Sequence, residues 1–399
     1  MSDFMRVYAD NAATTRVSGE ALQAMLPWLG EKCGNPSSLH SFGQEAAQAL
    51  YSAREAVAGV IGAQAREIYF TSGGSEADNQ AIISAARAGA KKGKKHIISS
   101  AFEHHAVLHT LDALRKEGFE VTLLDVHADG LVRVPELASA LRDDTALVSI
   151  MFANNEIGTV QPVAEIGALC RERGVTFHTD AVQAVGHIPV DVGKMNIDML
   201  SLSAHKFHGP KGVGALYVRR GTPLETLIHG GAQERGKRAG TENVAGIVGM
   251  AAALKEAAQT MEADAENVGS LRTRLAAELS KIPHSKINGD QSRCLPGTLN
   301  MCFEGIEGES LLLLLDEYGI AASSGSACTS GSLDPSHVLL ALGLKHELAH
   351  GSLRLSLSRY NTPEEIAHII DCVPKVVSRL REMSPVWEEL EKGQRPHLA

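Results

Sequence analysis

Between Arg66 and Arg219, short β-branched apolar runs alternate with stretches whose apolar positions recur at helical spacing. That alternation predicts an α/β fold, with helices packed on a largely parallel sheet. Seven strands are expected: Glu67–Phe70, His96–Ser99, Val121–Val126, Leu147–Met151, Thr176–Thr179, Met199–Ser203 and Gly214–Val218. Crossover helices are expected from Ser75 onward, over Leu108–Glu117 and over Ala164–Arg173. An Ala-, Glu- and Leu-rich stretch from Gly246 to Ile282 has no proline and predicts a long helix leaving one domain for another, with a boundary near Ala263. Beyond it lie an apolar run at Ser310–Leu315, a Ser/Gly-rich loop at Ser323–Leu333 and a closing helix over Pro363–Met383 that contains Pro374. These suggest a smaller α+β domain.

Composition narrows the function classes. A chain of 399 residues with net charge -9 can build two or three cores, and its acidic balance argues against a broad nucleic-acid footprint. The basic cluster from Arg87 to Lys95 reads as a solvated helix end. No run approaches the roughly 20 apolar residues that span a bilayer, and Met1–Asp10 lacks the apolar core of a signal peptide, so a cytoplasmic protein off the membrane is expected. The six cysteines, Cys33, Cys170, Cys294, Cys302, Cys328 and Cys372, are expected to be free thiols. None has the close spacing of a structural zinc site, and His104-His105 lacks the i, i+4 histidine spacing of a metalloprotease, so no bound metal is expected.

In an open α/β sheet, ligands bind beyond the carboxyl ends of the strands, and here those tips are polar. They carry Thr71 to Glu76, Ser99 to His104, Ala153 to Glu156, Thr179-Asp180 with Gln183, and Ser203 to Lys206. Gly73-Gly74-Ser75 before a helix suits a phosphate, because small residues expose backbone N–H groups at the positive end of the helix dipole. By itself it reads better as an ordinary capped helix start. Neither it nor Gly209–Gly214 has the Gly-Lys-Ser/Thr ending of a nucleoside triphosphate loop. Asp180 follows the apolar Val175–Phe177, and a buried carboxylate needs a cation or several donors; a protonated pyridine nitrogen would serve, as would a capping role. Lys206, beside His205, becomes a usable nucleophile for an aldehyde if neighbouring cations destabilise its ammonium form.

Further motifs run the length of the chain. They are Tyr8 to Thr15, Gly34-Asn35-Pro36-Ser37-Ser38, Phe70-Thr71-Ser72-Gly73, Glu103-His104, Asn154 to Gly158, His178 to Gln183 and Ser203 to Lys206. Gly209 to Gly212, Glu234-Arg235-Gly236, Arg238 to Thr241 and Ser323 to Cys328 complete the series. In that order they resemble the class V aminotransferase-like, fold type I pyridoxal phosphate enzymes, and within them the IscS and NifS cysteine desulfurases.

The resemblance implies that Lys206 holds pyridoxal 5'-phosphate as an imine, that Asp180 pairs with the pyridine nitrogen and that Gln183 bonds the ring hydroxyl. It implies that His104 stacks on the ring and moves protons, and that Gly74, Ser75, Ser203 and His205 hold the phosphate, with Thr241 reaching the same phosphate from the partner of a homodimer. Ser75 stands where relatives commonly have threonine. Asn155 and Arg354 would hold the carboxylate of L-cysteine, and Cys328, in a long Ser/Gly-rich loop, would take its sulfur as a persulfide. The implied products are L-alanine and sulfur for iron-sulfur cluster assembly and for thiolation of tRNA or cofactors, passed to scaffold or acceptor proteins. The Cys328 loop and Ser384-Pro385-Val386-Trp387 are the docking candidates, or equally a turn and a solvated helix end. The implied division is a segment 1–15 packing with the small domain, a large domain 16–262 and a small domain 263–399. A selenocysteine lyase, a class V aminotransferase and a non-catalytic sulfur-transfer scaffold are the alternatives. Cys170, Cys302 and Cys372 are expected to be inert core thiols.

Overall fold

The computed structural model describes residues 5–324 and 335–398. Its strands are β1 (Val7–Tyr8), β2 (Ile68–Thr71), β3 (His96–Ser100), β4 (Glu120–Leu124), β5 (Thr145–Ser149), β6 (Thr176–Asp180), β7 (Met199–Ser203), β8 (Gly214–Val218), β9 (Ser285–Ile287), β10 (Thr298–Phe303), β11 (Ile320–Ala321) and β12 (Ser352–Ser356). The seven expected strands form one sheet in the order β2-β8-β7-β6-β5-β3-β4. Pairing from β7 across to β4 is parallel, and β8 runs antiparallel to both β2 and β7. Strands β3, β5, β7 and β8 are buried along their whole length, because helices cover both faces; apart from His96, their sequences are mainly apolar or small.

Two strands lie displaced from their expected positions. β5 begins at Thr145, two residues early, because Thr145 Oγ1 accepts the Arg142 N–H at 2.9 Å and bonds His96 Nδ1 at 2.8 Å, which joins the polar start of the run to β3. Ile150 and Phe152 leave the strand yet still donate to the carbonyls of His178 and Asp180, at 3.2 and 2.8 Å. β4 lies at the sheet edge and is half exposed, so its apolar positions mark its limits poorly.

The helix Gly74–Ala90 packs its stripe of Gly74, Ala77, Ala81 and Ala85 on the centre of the sheet, and the helices His105–Lys116 and Val163–Arg173 follow β3 and β5 as expected. The helix Val244–Leu279 is 36 residues long and is capped by Asn243, whose Oδ1 accepts the Gly246 N–H at 3.0 Å. Its first part buries Ile247, Met250 and Leu254 in the core of the large sheet. Its last part buries Val268, Leu271, Leu275 and Leu279 in a second core, each contributing about 1.5–3 kcal/mol. No residue from Ala258 to Asn267 is buried.

The second core lies on an antiparallel sheet ordered β12-β10-β9, with the helices Gly308–Glu317 and Pro363–Glu382 against it. The latter is a single helix across Pro374. β1 pairs in parallel with β11, and Ser356 N–H donates to Ala9 O at 2.7 Å, so the N-terminal segment runs along this core before reaching the large sheet. Among the described residues no helix is long and apolar enough to cross a membrane.

Candidate active site

The tips of β2, β3, β5, β6 and β7 supply the polar groups. β2 ends at Thr71, and the chain turns through Ser72 and Gly73 into the helix Gly74–Ala90. Gly73 sits at φ 154° and ψ -174°, a backbone shape essentially confined to glycine. Gly74 packs so closely that a Cβ would lie 2.6 Å from Val182 Cγ2. The helix start has no side-chain cap hydrogen bond, which leaves its first amides to other acceptors, and the Ser203 hydroxyl stands beside it, 3.7 Å from where a Cβ on residue 73 would be. Ser75 is exposed on the first turn. Glu76, in the same turn, accepts the Ser72 N–H at 2.9 Å and pairs with Arg238 at 2.9 Å, which latches the segment carrying Thr241 to the start of this helix.

Lys206 ends a short turn, Ala204–Lys206, directly after β7. Its ammonium donates to the carbonyls of Ala12 at 2.6 Å and Ala13 at 2.8 Å, and Gln183 Nε2 donates to the same Ala12 oxygen at 3.0 Å. Asp180, at the end of β6, is buried, and its Oδ1 accepts the Val182 N–H at 2.9 Å. Burial pushes its carboxyl up to about 6, while that hydrogen bond and the charge of Lys206 pull it down. Burial and then Lys206 lower the imidazoles of His104 and His205 to about 4. One ammonium therefore acts on Asp180, His104 and His205 together. His104 caps the helix His105–Lys116: its Nδ1 accepts the Ala106 N–H at 3.1 Å. That bond assigns the proton of the neutral ring to Nε2, which makes Nε2 a donor. His205 Nδ1 lies 3.1 Å from Thr14 Oγ1.

Asn155 and Arg354 also meet. Arg354, on β12, donates to the Asn155 carbonyl at 3.0 Å and pairs with Asp10 at 2.8 Å, all but buried. An incoming carboxylate would compete with Asp10 for this guanidinium.

A buried polar layer lies behind the site. His178, two residues before Asp180, bonds Ser149 Oγ through Nδ1 at 2.9 Å and Ser201 Oγ through Nε2 at 3.0 Å. Asp78 Oδ1 is 3.6 Å from His178 Nε2. Burial raises Asp78 well above its ordinary value, with Asp180 adding repulsion, and lowers His178 to about 3. The signal for Asp78 was its position four residues after Gly74, a charged residue type in a stripe otherwise made of small ones.

Thr241 is exposed, and among the described residues no hydrogen bond joins it to these groups. Cys328 lies outside the described residues. Of the other thiols, Cys170, Cys302 and Cys372 are buried. Burial pushes Cys170 up to about 12 and Cys302 to about 11, and it raises Cys372, so none forms a thiolate readily.

The model of the family described as aminotransferase class-V matches residues 7–369. A cysteine desulfurase IscS of Clostridium botulinum is 55% identical over 392 residues, covering 98% of this chain and 98% of that protein. A cysteine desulfurase NifS of Azotobacter vinelandii is 52% identical over 383 residues, covering 96% of this chain and 95% of that protein. A solved structure described as a NifS-like protein superposes with a TM-score of 0.89 at 42% identity, over 94% of this chain and 100% of that one. With that fold and that extent of identity, the chain belongs to the class V aminotransferase family, among its IscS/NifS cysteine desulfurases.

Proposed function

We propose that this protein is a pyridoxal phosphate-dependent cysteine desulfurase: L-cysteine and the Cys328 thiol give L-alanine and a persulfide on Cys328, and the sulfur goes on to iron-sulfur cluster assembly. The observation that carries this reading is the meeting of Lys206 and Asp180 beside an uncapped, glycine-started helix, in a chain 55% identical to an IscS desulfurase. The residues suit the cofactor. Asp180 is a buried carboxylate in want of a cation, which a pyridinium nitrogen supplies, and the uncapped first amides of the helix Gly74–Ala90, beside the Ser203 hydroxyl, are where a phosphate would be met. When bound, the cofactor supplies an aldehyde for Lys206 and a sink for electrons released at the substrate Cα.

This chain's residues supply the rest. Asp180 would hold the negative charge that keeps a pyridine nitrogen protonated, and Gln183 would offer a hydrogen bond to the ring. Gly74, Ser75, Ser203 and His205 would hold the phosphate, joined by Thr241 of the partner subunit in a homodimer. Arg354 and Asn155 would fix the substrate carboxylate so that the Cα proton faces Lys206, whose amine moves it. His104, with Nε2 as donor, suits stacking and proton donation; accepting a thiol proton would first require release of Nδ1 from the Ala106 N–H. Cys328 would attack the substrate sulfur, so that the S–S bond forms as the C–S bond breaks.

The test measures alanine and sulfide from L-cysteine, with mass spectrometry of the Cys328 peptide before reductant. In Cys328→Ala the cofactor absorbance stays and sulfide release stops; release at the wild-type rate would defeat the proposal. Continued turnover of selenocysteine in that variant would mark a lyase. A protein with no yellow absorbance after addition of pyridoxal phosphate would be a scaffold.

A further inference from the structure

Two described serines, Ser323 and Ser336, flank the segment that carries Cys328. Before it, Ser323 is bridged to Arg354: the Ser323 N–H donates to Arg354 O at 3.2 Å and the Arg354 N–H donates to Ser323 O at 2.6 Å. After it, Ser336 caps the short helix His337–Ala341, its Oγ accepting the Val338 and Leu339 N–H groups at 3.1 and 3.4 Å. The same hydroxyl donates to Glu156 Oε2. Beside it, His337 Nε2 donates to the carbonyl of Glu103 at 2.9 Å, directly before His104. Both flanks therefore rest on Arg354 or on chain neighbours of Asn155 and His104.

Glu156 sits in a turn that is held firmly. Asn154 Oδ1 accepts the Glu156 and Ile157 N–H groups at 2.8 and 3.1 Å, and the Gly158 N–H donates to Asn154 O at 3.0 Å. Asn300 Nδ2 donates to the Glu156 carbonyl at 3.2 Å, and Asn154 Nδ2 to that of Phe102 at 3.1 Å. The Glu156 side chain is buried, and burial pushes its carboxyl up to about 7, while the Ser336 hydroxyl and the charge of Arg354 pull it down. The helix does not need this acid, because a serine cap accepts its amides without donating to a carboxyl. A residue kept only for stability would be apolar here, since burying a carboxyl is costly.

We propose that Glu156 is a positioning residue for sulfur transfer: it fixes the Ser336 end of the Cys328 segment to the turn that presents Asn155, so that thiol and substrate carboxylate are located against one rigid element. The inference rests on the desulfurase reading above. Holding two reactants on a common frame speeds only the step in which they meet. Arrival of L-cysteine and movement of its Cα proton do not involve Cys328, so they should not depend on Glu156.

The holoenzyme, Glu156→Gln, Glu156→Leu and Ser336→Ala are compared in single turnovers with L-cysteine. Cofactor absorbance follows substrate arrival, and mass spectrometry of the alkylated Cys328 peptide follows the persulfide. Glutamine keeps an acceptor for Ser336 and should retain most of the persulfide rate. Leucine fills the space without an acceptor, and loss of a hydrogen bond to a charged group should slow persulfide formation about 10–100-fold, with the absorbance change as fast as in wild type. Ser336→Ala removes the same bond from the other side and should show the same split, whether or not the leucine variant folds. Combining Glu156→Leu with Ser336→Ala should slow the step no further than the slower single change. Persulfide formation at the wild-type rate in Ser336→Ala would overturn the proposal and leave the desulfurase reading standing. So would an absorbance change slowed as much as the persulfide, or glutamine behaving as leucine does. Absence of persulfide from wild type would defeat both.

Discussion

Glu103→Gln tests whether the buried layer under the site is held in its protonated form. Glu103 is fully buried, directly before His104, and its Oε1 accepts the Ser100 hydroxyl at 2.6 Å and the Met151 N–H at 2.9 Å. Among the described residues Oε2 has no partner. Burial pushes the carboxyl up to about 8 against the pull of those two hydrogen bonds, with Asp180 adding repulsion. In the unfolded chain the same group titrates near 4.3. Below that value it is protonated in both states and costs the fold nothing. From there to about 8 the unfolded chain releases a proton that the folded chain keeps, so stability falls by up to ~1.4 kcal/mol per pH unit. Above about 8 both states are ionised and the loss stops growing. Between pH 5.5 and 7.5 Glu103 alone should therefore remove about 2–3 kcal/mol. Glutamine keeps the acceptor and cannot ionise. Urea unfolding of both proteins at matched cofactor concentration should show the variant gaining that amount on wild type as pH rises, while contributions from Asp78, Glu156 and Asp180 largely cancel in the difference. Parallel stability curves would refute the argument.

Glu234→Ala should cost about 3–5 kcal/mol, because it strands Arg54, which grips that carboxylate at 2.6 and 2.7 Å. Phe70, whose N–H donates to Glu234 at 3.0 Å, leads into the cradle, so retained cofactor absorbance should fall as well as the urea midpoint. Arg354→Lys keeps the charge but loses the planar fork, and one charge-assisted hydrogen bond is worth about 1.5–3 kcal/mol. Steady-state kinetics should show KM for L-cysteine raised about 10–100-fold, and an unchanged KM would remove Arg354 from substrate binding. Gly158→Ala puts a side chain at φ 76° and a Cβ 2.7 Å from Cys294 Sγ and 2.9 Å from Thr298 Cβ. The backbone alone should cost about 1–2 kcal/mol, read from the urea midpoint.

The large sheet was legible because each of its strands is an apolar run bounded by helical spacing, and a strand buried on both faces needs no finer pattern. Which strand sits beside which was not legible: β8 enters between β2 and β7, and nothing in Gly214–Val218 encodes that place. In the site, Lys206, Asp180 and Gln183 could be found because each ends a strand or lies within three residues of its end. The carbonyls of Ala12 and Ala13 could not, since a backbone oxygen has no residue type to mark it. Asp10 was hidden for a similar reason, because its partner Arg354 is 344 residues away.

The long helix Val244–Leu279 sets where this chain can be divided by an engineer. At 1.5 Å per residue it is a rod about 54 Å long, and its two ends are anchored in different cores. Fragments separated after residue 262 would each inherit half a rod, and the stub carrying Leu271, Leu275 and Leu279 would have lost the turns that nucleate it. Complementation between such fragments should be poor. Fluorescent labels at the two ends of the intact helix would instead form an internal ruler of fixed length, against which movements elsewhere in the chain can be measured.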